Sequence, residues 1–226
     1  MIHQVGGTIT VKSSDDGLNA KDWTLESSDE QGPGQQTKKV KSEATNAKNL
    51  DRVGDVKIVI DGGTLTVDAE GDGLDANGSI EINGGTIVVN GPTSGANAAL
   101  DYDDNGILNG GTVLFVDNGQ MTMGFGSDSN QAYLMASIQG TAGSTVEVVD
   151  SSGKTVASLK ASKSFSTVLI SSPEIKDGEK YTIKVGSNTT TATASKEAAN
   201  LGGGPGQGGP GGGQPGQGDP GGRQGR

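Results

Sequence analysis

Four times the chain writes two glycines and a threonine followed by an alternating apolar strand: GGTITV from Gly6, GGTLTV from Gly62, GGTIVV from Gly84 and GGTVLFV from Gly110. Self-similarity of this kind marks stacked, nearly identical units in place of one rounded core. The second and third copies begin twenty-two residues apart, at Gly62 and Gly84, a length that suits three short strands and three turns. A parallel β-solenoid is the expectation.

Aligning the copies on their glycines sets like residues above one another, in coils ~4.8 Å apart. One inward column then reads Ile9, Leu65, Ile87, Val113 and the next Val11, Val67, Val89, Phe115. Ahead of the glycines, Ile58 stands over Ile80, and Ile60 over Ile82 and Leu108. Period-two alternation turns the residues between them outward. Asp61, Asn83 and Asn109, just before the glycine pairs, are short polar side chains suited to a turn.

Only 3% of the residues are aromatic and 31% apolar, and 40 of 226 are glycine, so a large globular core has little to fill it. A solenoid coil needs a handful of aliphatic side chains and leans on its neighbours for the rest. Lys and Arg number 17 against 27 acids, a formal charge of −10, which disfavours nucleic acid and favours divalent cations or ligands bridged by them. With no cysteine, disulfides and thiolate metal sites are excluded. The single histidine, His3, leaves almost no material for a Ser-His-Asp triad or a histidine zinc site. Met1 leads directly into a polar repeat, which predicts no signal peptide in the residues given, and no apolar run reaches the length of a membrane span. Two readings follow, a cytoplasmic protein or a chain written from after its export signal, and the abrupt start at Ile2 favours the expectation of the second, with upstream coils missing.

The chain divides into coils over residues 1–131, interrupted by a polar loop over 21–55 that carries the only tryptophan, Trp23, then a β-rich cap over 132–200 and a tail over 201–226. The insertion follows from spacing: the first and second repeats lie fifty-six residues apart, thirty-four more than the next pair. In the cap the glycine repeat gives way to TVEVVD, TVASLK, FSTVLIS and KYTIKVG separated by SSGK and KDGE turns, which predicts antiparallel hairpins. The tail is nearly all Gly, Pro and Gln and is expected to be disordered.

Chemistry concentrates after each glycine strand, in SSDDGLNA from Ser13, AEGDGLDA from Ala69 and NAALDYDD from Asn97. Counting back from the following glycine pair aligns Leu18, Leu74 and Leu100 as an inward ladder. Beside it stand Asn19, Asp75 and Asp101, with Asp16 and Asp72 as a second oxygen column and Asp15 and Asp103 close by. Two carboxylates ~4.8 Å apart repel by roughly 1 kcal/mol in a water-like medium and about 3–4 at an effective dielectric of 20. Raised pKa values or a bound cation relieve that. Calcium, with six to eight oxygen ligands in loose geometry, suits the donors better than magnesium. The plainer alternative is that these residues make turn hydrogen bonds only.

The succession GGTITVKSSDDGLNA, a polar insertion, GGTLTVDAEGDGLDANGSIEINGGTIVVNGPTSGANAALDYD and GGTVLFV strongly resembles the bacterial carbohydrate-binding domain family built on a right-handed parallel β-helix related to family 9 pectate lyases. The run from Tyr133 through Val185 and the Gly/Pro/Gln tail look like the same family's C-terminal end. The resemblance implies a secreted or surface-attached protein that binds calcium through DDGLN-like turns and associates with plant cell-wall polysaccharides, acidic pectins especially. By motif position it implies calcium ligands among Asp15, Asp16, Asn19, Asp72, Asp75 and Asp101.

The leading expectation is a monomeric, non-catalytic module in which calcium on the Asp/Asn ladders bridges the uronate carboxylates of an extended polymer. Repeated sites along the coils add avidity. Trp23, Tyr102 and Asp103 are the candidate sugar contacts; the alternatives are loop packing for Trp23 and a cover over the turn for Tyr102. A calcium-dependent polyuronate lyase is the second possibility, with Lys12, near the first aspartates, as its one weak candidate base; a solvated outward lysine is the alternative there. Glycoside hydrolysis by paired carboxylates ranks lower. A structural or adhesive surface solenoid is the third.

Overall fold

Each glycine-threonine repeat folds as a succession of short strands. The computed structural model describes residues 1–21, 56–197 and 199–201, and the protein is all-β. The first repeat supplies β1 (Ile2–Gln4), β2 (Thr8–Ser13) and β3 (Leu18–Ala20), and the second β4 (Lys57–Ile60), β5 (Thr64–Ala69) and β6 (Leu74–Ala76). The third supplies β7 (Ser79–Ile82), β8 (Thr86–Asn90) and β9 (Leu100–Tyr102), and the fourth β10 (Gly106–Leu108), β11 (Thr112–Asp117) and β12 (Thr122–Met123). Like strands join in parallel into three sheets, in the orders β1-β4-β7-β10, β2-β5-β8-β11 and β3-β6-β9. β12 departs from the pattern and pairs antiparallel with β19 (Asn200–Leu201).

The register is the one that glycine alignment predicts. Ile9, Leu65, Ile87 and Val113 are consecutive partners, as are Val11, Val67, Val89 and Phe115. Ile58, Ile80 and Gly106 form one file in the first sheet, and Ile60, Ile82 and Leu108 another. Apart from Ile9 and Gly106, these residues pack into one core, in which each fully buried aliphatic contributes roughly 1.5–3 kcal/mol. Ile9, in the outermost strand of its sheet, remains 40% exposed, whereas Leu65, Ile87 and Val113 are sealed. At the other end of the core Phe115, Phe125 and Tyr133 meet edge to face, with ring centroids 5.8 and 5.9 Å apart.

Turns between the first and second sheets depend on glycine. Gly7, Gly63, Gly85 and Gly111 take φ of 78, 85, 96 and 97°, a left-handed backbone that β-branched residues avoid. Asp61, Asn83 and Asn109 do more than initiate these turns. Asn130 Nδ2 donates to Asn109 Oδ1 at 2.7 Å, Asn109 to Asn83 Oδ1 at 2.8 Å, and Asn83 to Asp61 Oδ1 at 2.8 Å. His3 Nε2 closes this ladder, 2.6 Å from Asp61 Oδ2.

Outward alternation fails on β11, where Leu114 and Val116 are as buried as the core residues between them. The cause is a second layer. β13 (Leu134–Gly140) and β16 (Phe165–Ser171) extend the β2-to-β11 sheet antiparallel, to the order β13-β16-β11-β8-β5-β2. β14 (Thr145–Val149), β15 (Thr155–Lys160), β17 (Lys180–Val185) and β18 (Asn188–Thr193) form a separate antiparallel sheet. Leu114, Val116, Leu134, Val168 and Ile170 form a second core with Val146, Val148, Tyr181 and Ile183 of that sheet. The β15–β16 connection also grips the repeats: Lys163 Nζ lies 2.7 Å from the Ala69 carbonyl, 3.0 Å from Glu70 Oε1 and 3.3 Å from Asp68 Oδ1. Asn90, itself buried, donates to the Val67 carbonyl and accepts the Ser162 amide. Trp23 and residues 202–226 lie outside the described residues. Among the described residues, no helix is long and apolar enough to cross a membrane.

Candidate functional site: an acidic file on the third sheet

The β3-β6-β9 sheet carries the acidic columns. Leu18, Leu74 and Leu100 are consecutive partners that turn inward, so the next residues, Asn19, Asp75 and Asp101, turn outward in one file. The bends ahead of these strands supply Asp16 and Asp72. Gly17 and Gly73 follow them because there is no room for a side chain: a Cβ on Gly73 would meet Val89 Cγ1 and the Ala99 carbonyl, and one on Gly17 would meet Val67 Cγ1 and the Gly73 carbonyl. Aspartate, glycine, leucine is thus a packing requirement as well as a chemical one.

The two columns do different work. Asp16 Oδ1 accepts the Asp72 amide at 2.9 Å, and Asp72 Oδ1 accepts the Ala98 amide at 2.6 Å, so each carboxylate clasps the backbone of the next coil. Asp117, at the end of β11, reaches the other way, accepting the Ala99 amide of the preceding coil at 3.1 Å, and also accepts the Gly119 amide and the Thr122 hydroxyl. These three are turn acceptors. In the other column, Asn19 Nδ2 donates to Asp16 Oδ2 and to Asp75 Oδ2, each at 2.7 Å, and Asn77 Nδ2 donates to Asp103 Oδ2 at 3.2 Å.

Electrostatics follow from the stacking. Burial first, then the charges of Asp101, Asp16 and Asp15, pushes Asp72 up to about 6 against the pull of the Ala98 amide. Burial, then Asp16, Asp72, Asp101 and Asp103, pushes Asp75 up to about 6. Asp101 is raised by burial and by Asp103, against the Tyr102 amide. The file is therefore a half-buried acidic strip whose members disfavour one another's ionisation.

Tyr102 closes one end of the strip. Its hydroxyl donates to the Gly124 carbonyl at 2.6 Å, its ring packs where a Cβ on Gly106 would stand, and it is half-buried against the first core. Asp15 is exposed at the bend, with its amide bonded to Ser13 Oγ at 3.1 Å. Lys12 is exposed on β2, in register with Asp68.

The donors around the strip are oxygens, the kind a hard cation takes. Among the described residues, no three His, Cys, Asp or Glu side chains close on one point as a metal cage. The amide nitrogen of Asn19 bridges two carboxylates instead. Sequence reasoning passed over Asp117, whose signal is the VDNG that follows the fourth GGT strand in place of the earlier DG-Leu. Comparison of the chain with protein-family models, with curated proteins and with solved structures finds no match, so function rests on this geometry.

Proposed function

We propose that this protein is a non-catalytic, extracellular or cell-surface module that binds an acidic cell-wall polysaccharide along the β3-β6-β9 strip. The finer fold we propose is a right-handed parallel β-helix, supported by three sets of parallel strands that each receive one strand from each of the first three repeats, two of them also one from the fourth. One observation carries the functional reading: Asn19, Asp75 and Asp101 stand in a single outward file, Asn19 exposed and the two aspartates half-buried, with burial first and neighbouring aspartates after it raising the pKa of Asp75 and Asp101. A surface that accumulates carboxylates in this way is relieved by a divalent cation.

The donor set fits calcium in kind, and its open arrangement suits a shared site better than a closed one. Asp75 and Asp101, with Asp103 beside them, would hold the ion from the protein side; Asp16 and Asp72 keep their backbone clasps. When bound, calcium supplies positive charge and vacant coordination positions for uronate carboxylates. Asn19 orients Asp75 through its amide, and Tyr102 shields the end of the strip from water. Asp75 and Asp101, on successive coils, present their carboxylates one above the other to an extended polymer.

Electrophoretic retardation in gels containing polygalacturonate, with calcium and with chelator, tests this. Retardation that requires calcium, and that is lost in Asp75→Asn and Asp101→Asn while Asp128→Asn in an exposed turn keeps it, is the expected result. Equal mobility in both gels would remove the calcium bridge and leave the structural surface solenoid as the better account.

A further inference from the structure

A cleft of about 470 Å³ opens where the loops of the third and fourth repeats meet β13, β16 and the β17–β18 turn. Its lining is unlike the rest of this acidic molecule, because none of the residues that form it is charged. Thr93, Thr141, Ser144, Ser164, Ser166 and Ser187 contribute hydroxyls, and Asn118, Gln139 and Asn188 contribute amides. Phe165 and Val185 are its only large apolar side chains, and Phe165 is buried.

The walls are fixed before any ligand arrives. Asn118 Nδ2 donates to the Gly95 carbonyl at 2.9 Å, tying the turn after β11 to the loop that carries Thr93. Asn188 Nδ2 donates to the Gln139 carbonyl at 2.8 Å, tying the β17–β18 turn to β13. Thr141 and Ser144 close their own turn through the Ser144 amide and the Thr141 carbonyl at 3.0 Å. The pairing of β13 with β16 shifts register between Ser137 and Gly140, a bulge that re-aims the strand at the cleft. Gly140 has no Cβ because Phe165's ring occupies that space, which lays the aromatic against the backbone at the floor.

We propose that this cleft is a second binding site, for one or two residues of a neutral saccharide. The lining excludes other classes. Phosphates, carboxylates and ammonium groups find no countercharge, and lipid or aromatic ligands find too little apolar wall. A neutral polyol finds hydroxyl and amide groups that both donate and accept hydrogen bonds, set over a buried apolar floor of Phe165 and Val185. The volume lies in the range of small-ligand sites, roughly 300–1,000 Å³. The site shares no residue with the acidic strip and needs no cation, so it stands apart from the polyuronate proposal.

The test is an amide NMR titration of the full chain with three neutral disaccharides, cellobiose, β-1,4-galactobiose and β-1,4-mannobiose, and separately with digalacturonate, each with calcium and with chelator. Saturable shifts at Gly140, Ser144, Ser166 and Asn188 with a neutral disaccharide, unaltered by chelator and without movement at Asp75 or Asp101, are expected. Ser187→Trp and Ser164→Trp, both at exposed positions, fill the cleft and should weaken that binding by about tenfold or more. Absence of saturable shifts with all three sugars overturns the proposal, as do shifts that survive both tryptophans. Loss of polygalacturonate retardation alone would sink the acidic-strip proposal and leave this one standing.

Discussion

Asn19 donates its side-chain amide to Asp75 Oδ2 at 2.7 Å, across the junction between the first and second repeats. The same nitrogen serves Asp16 Oδ2, so one neutral side chain holds two carboxylates that would otherwise only repel. Asn19→Asp removes both donations and adds a third negative charge. In chelator we expect a loss of about 1 kcal/mol or more, or roughly 2–4 °C in Tm. Calcium should raise the Tm of the variant by more than it raises that of the parent. Scanning calorimetry of both proteins with and without calcium measures this, and equal calcium shifts would count against a cation on this file.

Stability should rise as the solution is made mildly acidic. Asp72 and Asp75 have folded pKa values of about 6 against an ordinary 3.8. Since the folded state holds protons more tightly, it gains as pH falls through about 6 toward 3.8, and that gain is absent above about 6. Asp61 and Asp150, whose pKa values are depressed by the Asn83 and Ser152 hydrogen bonds respectively, act the opposite way, and their contribution is lost as pH falls below 3.8 through their folded values. Urea denaturation in chelator should therefore show greater stability near pH 5 than at pH 7.5. The double variant Asp72→Asn/Asp75→Asn should flatten that slope, and an unchanged slope would show that other groups set it.

Close packing behind the aspartates gives a third expectation. Gly73→Ala drives a methyl against Val89 Cγ1 and the Ala99 carbonyl, between two buried elements with no flexible group to yield. Overpacking of this kind costs about 1–3 kcal/mol. Gly95→Ala makes a useful comparison, because its Cβ meets nothing and its penalty comes from its φ of 87° alone. Chemical denaturation should rank Gly73→Ala as the more damaging, and the reverse order would mean that the coils can slide apart at little cost.

Much of the repeat architecture was legible because glycine pairs fix the register and a two-residue period fixes which side chains share a face. The Leu18, Leu74, Leu100 ladder and the Asn19, Asp75, Asp101 file are both in place as aligned. Less legible was what covers the outside. Alternation predicts outward positions for Leu114 and Val116, and only the arrival of β13, β16 and the separate four-stranded sheet turns them into a core. Nor does spacing tell an outward carboxylate from a backbone clasp: Asp16, Asp72 and Asp117 accept the amides of Asp72, Ala98 and Ala99, whereas Asp75 accepts the side-chain amide of Asn19. The full amide ladder was hidden for a similar reason, since Asn130 and His3 lie outside the glycine motif that aligns Asp61, Asn83 and Asn109.

Lys163 joins the layers, and its removal should loosen one of them selectively. Its side chain is 12% exposed and its ammonium lies within reach of the Ala69 carbonyl, Glu70 and Asp68, so Lys163→Met leaves the carbonyl and Glu70 without this donor and Asp68 with the Ser162 hydroxyl alone. Breaking a partly buried arrangement of this sort costs about 1–3 kcal/mol, below the 3–5 of a fully buried pair because Glu70 can turn to water. The Ser162 amide still caps Asn90, which keeps the connection in place. Hydrogen exchange should quicken at residues 161–164 and at the Asp68–Glu70 end of β5, while the amides of β14 and β17 keep their protection. Uniform quickening across β14 and β17 as well would show that Lys163 anchors the whole outer sheet and not one connection.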